Sequence, residues 1–161
     1  MFAKEYNFID DFFIKKYEEV NIYFNNQVSY GISKNLMKGS TAKDLFEITI
    51  KNFFKCINEE LTTELNEYRY KNKFDNSLES YKKNIIEIKQ EILKYLDKYL
   101  GNYIRTQKEI DYIYQVLNIE TNNSIKKWSY IIEKKRKPIL MKFKDFLELI
   151  TKFIIIRKIV L

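Results

Sequence analysis

Histidine is absent from this 161-residue chain, and the sequence holds one cysteine, one proline and three glycines. Without histidine, His-based zinc sites, di-iron pairs of the Glu-x-x-His type, His general bases and nucleophilic triads built on His are excluded. Cys56 cannot form an internal disulfide and has no partner base. Its position between Phe54 and Ile57 reads as a small core residue, and a lone thiol points to a reducing compartment. So few glycines and prolines leave almost nothing to build tight β-turns, which argues for helices. Lys4, Glu5, Asp10 and Asp11 interrupt any secretory leader. Charges recurring from Lys142 to Lys158 break the apolar C-terminal stretch as a membrane span. These absences predict a soluble, intracellular, cytoplasmic protein with no cofactor, no metal and no catalytic group.

What the chain does have is lysine, asparagine, isoleucine and aromatic residues in a helical rhythm. Phe2, Tyr6, Ile9, Phe13, Tyr17, Val20, Phe24 and Val28 recur every three or four positions, which predicts a long first helix ending by Gly31. Ser40 is placed to cap a second long helix through Phe46, Ile50, Phe53, Ile57, Leu61, Leu65 and Tyr68. Asn76 and Glu79 open a third, which carries Leu78, Tyr81, Ile85, Ile88, Ile92, Tyr95 and Tyr99 and ends at Gly101. Thr106 with Glu109 caps a fourth, which stops in the polar run 118–123. A fifth helix from about Ser124 turns Trp128 inward and breaks or kinks at Pro138. A sixth follows through Leu140, Phe143, Leu147, Ile150 and Ile154, with its last residues β-branched enough to be extended. The expected fold is all-α: a single-domain bundle, 1–161, of five or six amphipathic helices, the first three long.

Charge is distributed unevenly. Residues 1–30 carry three bases against five acids, residues 31–101 thirteen against eleven, and residues 102–161 thirteen against six. The net +7 of the chain therefore equals that of its last 60 residues, a basic C-terminal helical subregion suited to a polyanion. Within it, Lys126, Lys127, Lys134, Lys135, Arg136 and Lys137 are placed to grip phosphates, and Tyr130 or Trp128 to offer a stacking ring. The bland alternative is a solvated helix face over a core tryptophan. Arg69, Tyr70, Lys71 and Lys73 form a secondary basic and aromatic cluster, or simply complement a helix dipole. Residues 106–137 also fit the outline of a DNA-reading helix-turn-helix, although an ordinary helical hairpin fits better. Glu60, Glu64 and Glu67 share a helical face, a spacing that reads as surface salt bridging rather than cation binding.

The helical pattern also suggests a HEPN-type ribonuclease bundle, but the Arg and His that such bundles use cannot both be supplied here. In composition the chain resembles phage-encoded inhibitors of nucleic-acid machines and helical accessory subunits of CRISPR complexes. The expectation is a non-enzymatic binding protein that engages RNA, DNA or a nucleoprotein complex through its basic C-terminal surface. A second reading starts from residues 139–161, whose apolar side chains outnumber what one stripe can bury. This makes the chain a protein-interaction module, homodimeric in one form, with an anionic membrane ranked last.

Overall fold

The computed structural model describes residues 8–67 and 77–160, and within these all side chains except those of 66, 67, 77, 132, 134–142 and 155–160. The described residues are all-α: α1 (Phe8–Ser33), α2 (Gly39–Glu67), α3 (Ser77–Tyr99), a short 3-10 turn (Leu100–Asn102) and α4 (Gln107–Val160). The chain divides into two compact units, residues 1–128 and 129–161, and the division falls within α4.

In the first unit the helices run alternately up and down. The α1–α2 contacts are antiparallel, because Lys16 meets Glu60, Tyr23 meets Phe53 and Gly31 approaches Leu45. By contrast α1 and α3 run parallel, as Asp10 pairs with Asn84, Tyr17 with Glu91 and Asn25 with Tyr95. The first part of α4 lies against α2 through Glu47–Tyr112 and Asn58–Ser124, and against α3 through Asp97–Tyr114 and Tyr81–Trp128. Short connections favour this arrangement, since consecutive antiparallel helices need only a few residues between them.

Apolar spacing explains the core. Phe13, Val20 and Phe24 of α1 are buried with Phe46, Ile50, Phe54, Ile57 and Leu61 of α2 and Tyr81, Ile85, Ile88 and Ile92 of α3. Ile113, Leu117 and Trp128 continue it along α4. Phe24 is ringed by Phe53 and Tyr95 at centroid distances of 6.0 and 5.2 Å, and Trp128 stacks on Tyr81 at 5.0 Å. Such rings bury a large area each and dominate the packing energy of a small bundle.

Several expected boundaries are corrected. Gly31 does not end α1: it is buried within the helix, where an added Cβ would stand 2.5 Å from Leu45 Cδ2 and 2.7 Å from Met37 Sδ. Close packing, not a left-handed turn, occupies that glycine. Asn35 at φ 57° takes the left-handed position instead, with Leu36 N–H donating to the Gly31 carbonyl and Asn35 N–H to that of Ile32. Thr106 directly precedes α4, its carbonyl accepting from Ile110 N–H at 3.1 Å and its hydroxyl donating to Glu109 Oε1 at 2.6 Å. Cys56 is exposed rather than in the core, because Phe53, Phe54, Ile57 and Asn58 claim the inward positions of its turn.

The largest correction concerns α4, which replaces the expected fourth, fifth and sixth helices and removes both the helix-turn-helix and the hairpin readings. Residues 118–123 are helical because the inward stripe runs straight through them. Ile113, Leu117, Thr121, Ser124 and Trp128 are all buried at steps of three or four. Two of those five positions are polar and small, which disguised the stripe as a turn. Thr121 returns its hydroxyl to the Leu117 carbonyl at 2.7 Å, and Ser124 accepts from Asn58 Nδ2 at 3.1 Å, so neither is buried without a partner. Pro138 also lies in helical backbone. A proline removes one N–H from the ladder, and this helix tolerates that loss without ending. Residues 153–160 are helical rather than extended.

Candidate functional site

Two surfaces carry chemistry, one in each unit. In the second unit, Phe143, Phe146, Leu147, Ile150, Phe153 and Ile154 follow one another at helical steps and so share one face of α4. All six are exposed, between 40 % and 67 %. Asp145, Glu148 and Lys152 project from the opposite side of the same turns, and Lys144 lies nearer the edge of the stripe, as 100° per residue dictates. All four are exposed as well. Among the described residues, the surplus of apolar side chains read from the sequence is thus a continuous exposed stripe over 143–154.

In the first unit α1 and α3 enclose a groove of about 270 Å³ lined by Phe13, Ile14, Tyr17, Glu18, Asn84, Glu87, Ile88, Gln90, Glu91 and Lys94. Phe13 and Ile88 form a buried floor, and Ile14 stands 58 % exposed at its side. Three carboxylates and one amine set a negative rim. Glu91 accepts from Lys94 Nζ at 2.9 Å and from the Tyr17 hydroxyl at 2.7 Å. These two bonds, Lys94 foremost, hold the Glu91 carboxyl below its ordinary range, and the same carboxylate pushes the Tyr17 hydroxyl up.

Outside the groove, Lys16 is buried and pairs with Glu60 and, at 2.9 Å, with Glu19. Burial works against its charge, but the hydrogen bonds it donates to the Glu60 and Glu19 carboxylates outweigh it and raise its pKa. Glu60 is therefore engaged in an ion pair across α1 and α2. A buried chain of hydrogen bonds lies deeper: the Tyr81 hydroxyl donates to Asn58 Oδ1 at 2.7 Å, and Asn58 Nδ2 donates to Ser124. Burial drives the Tyr81 pKa strongly upward, against a smaller opposing contribution from Ser124. That hydroxyl is a structural donor.

The residues expected to hold a polyanion separate into three groups. Lys126 and Lys127 are exposed in the first unit, and Tyr130 is 62 % exposed in the second. Lys134, Lys135, Arg136 and Lys137 follow on helical backbone, but their side chains lie outside the described residues, as do Arg69, Tyr70, Lys71 and Lys73 altogether. Trp128 is withdrawn as a stacking ring because it is fully covered in the core. The groove went unread in the sequence because its two walls are 70 residues apart. The one available signal was the run of outward acids on α1 beside exposed Ile14 and Tyr17. Comparison with models of known protein families, with curated proteins and with solved structures gives no match. No helix among the described residues is long and apolar enough to cross a membrane.

Proposed function

We propose that this chain is a helical binding protein that engages a protein partner through the second part of α4. One observation carries the reading: six large apolar side chains stand exposed on one face of a helix while the acids of the same turns point away. An apolar stripe of this kind in water is an interaction surface, since burying it against a complementary groove recovers about 25 cal/mol per Å² before association costs. Helix-in-groove recognition uses such i, i+3, i+4, i+7 anchors.

Photo-crosslinking in the native host tests the reading face by face. A photoreactive residue at Phe146, Ile150 or Phe153 is expected to give the same protein adduct, and at Asp145 or Glu148 none. Equal labelling from both sides, or no adduct from the apolar side, would refute it.

A second reading is favoured by charge: a nucleic-acid or nucleoprotein partner held by Lys126, Lys127, Tyr130 and the 134–137 block. It predicts RNA or duplex DNA binding that weakens steeply with salt and is lost when Lys134, Lys135, Arg136 and Lys137 become Glu. Absence of binding at low salt by folded protein would rule it out.

A further inference from the structure

Resting on the protein-partner reading, we infer that the partner of the α4 stripe is a second copy of this chain, which receives the stripe in its α1/α3 groove. Three features support the fit. The α3 wall of the groove, from Asn84 to Lys94, is about 15 Å long at 1.5 Å per residue and the stripe from Phe143 to Ile154 about 16 Å. The groove has a floor of Phe13 and Ile88, an exposed Ile14 and a free volume of about 270 Å³.

Charge is the second feature. Glu18, Glu87 and Glu91 against one Lys94 face the groove, whereas residues 139–161 carry five bases against two acids. Asp145 and Glu148 turn away from the stripe, as Lys152 does, so the groove's carboxylates meet an apolar face with no acid on it, and the attraction is that of the basic segment as a whole. A stripe-to-stripe dimer would instead bring together two segments that each carry five bases against two acids.

Area is the third. Six large side chains, each roughly half exposed, present about 100 Å² apiece. Two stripes covering two grooves then reach the range of roughly 1,200–2,000 Å² that specific dimers bury. Reciprocal exchange by two copies also closes the assembly, leaving no stripe uncovered and no open end for a fibre.

Disulfide trapping between mixed populations tests the exchange. With Cys56→Ser in every chain, one population carries Ile14→Cys and the other Ile150→Cys. Mixing them under mild oxidation is expected to give a mixed disulfide of twice the chain mass, and Ile119→Cys in place of Ile14→Cys to give none. By sedimentation equilibrium the parent protein is expected to be a dimer. Ile150→Glu should be a monomer with an unchanged circular dichroism spectrum, and Glu18→Lys with Glu87→Lys should weaken the dimer by about tenfold at low salt.

A monomeric parent protein would overturn the inference, as would a mixture that gives no disulfide. A bond formed only within a single chain bearing both cysteines would also overturn it, by placing the stripe in its own groove. Monomeric protein that binds anionic vesicles through the stripe would assign the face to lipid. If crosslinking in the host still yields a different polypeptide from Phe146 and Ile150, the protein-partner reading survives while the self-partner falls. If the stripe yields no adduct at all, both fall.

Discussion

Phe24 and Phe153 are both apolar members of amphipathic stripes, but their surroundings have nothing in common. Phe24 is 0 % exposed between Phe53 and Tyr95, and Phe153 is 67 % exposed. The same contrast holds between Trp128 and Tyr130, two residues apart on α4, one fully covered and the other open. Spacing alone puts a side chain on a face. Whether that face becomes core depends on a second helix bringing side chains to meet it, as α1, α2 and α3 do for one another. Truncating a ring should therefore give opposite outcomes in the two units. Phe24→Ala is expected to cost about 3–5 kcal/mol, from lost burial and the cavity left behind. At protein concentrations low enough to keep the chain monomeric, Phe153→Ala should change the stability of the first unit by less than about 0.5 kcal/mol. Urea unfolding followed by Trp128, the sole tryptophan, reads both. A cost of several kcal/mol at Phe153 would mean that the stripe is already packed within the chain, and the contrast would collapse.

A finer division lies inside the first unit, between its apolar packing and the polar chain that crosses it. Tyr81→Phe keeps the ring stacked on Trp128 but takes the donor from Asn58, whose oxygen would remain buried without it. The expected loss is about 1–3 kcal/mol, the penalty of an unsatisfied buried acceptor. Replacing Asn58 by Leu in the Tyr81→Phe background should recover part of it, because both ends of the bond then become apolar. Additive losses instead would show that Asn58 has another role, toward Ser124 for example.

The same polar chain marks where the sequence was hard to read. Apolar periodicity located α1, α2 and α3, because their inward positions are almost all Phe, Ile, Leu, Val or Tyr. It failed at residues 118–124, where Thr121 and Ser124 face inward and make hydrogen bonds with Leu117 and Asn58. A bond from 66 residues away leaves no local trace. Gly31 was misread for a related reason, since its role is to admit Leu45 and Met37 from beyond the turn. Among the candidate contacts, exposure of Lys126, Lys127 and Tyr130 followed from their phase on the helix. The acidic groove did not, because it exists only once α1 and α3 lie side by side.

Charge gives the smallest effect on the stability of the bundle. Glu47 accepts from Lys51 at 2.9 Å and from the Tyr112 hydroxyl at 2.8 Å, tying α2 to α4, as Glu91 ties α1 to α3. Both carboxyls titrate below the ordinary glutamate value, Lys51 and Lys94 being the main causes. A depressed folded-state pKa contributes stability that is complete above the unfolded value and is lost as pH falls through the folded one. Lys16 runs the other way. Its raised pKa adds stability that is present below the unfolded value of 10.5 and is lost as pH climbs through the folded one. The midpoint of Trp128-monitored thermal unfolding should therefore fall on acidification below the usual glutamate range. Glu47→Gln with Glu91→Gln should flatten that slope, and Lys16→Met the alkaline one. An acid slope unchanged by the double substitution would show that these exposed pairs are too well screened to matter, leaving packing alone to separate the bundle from the stripe.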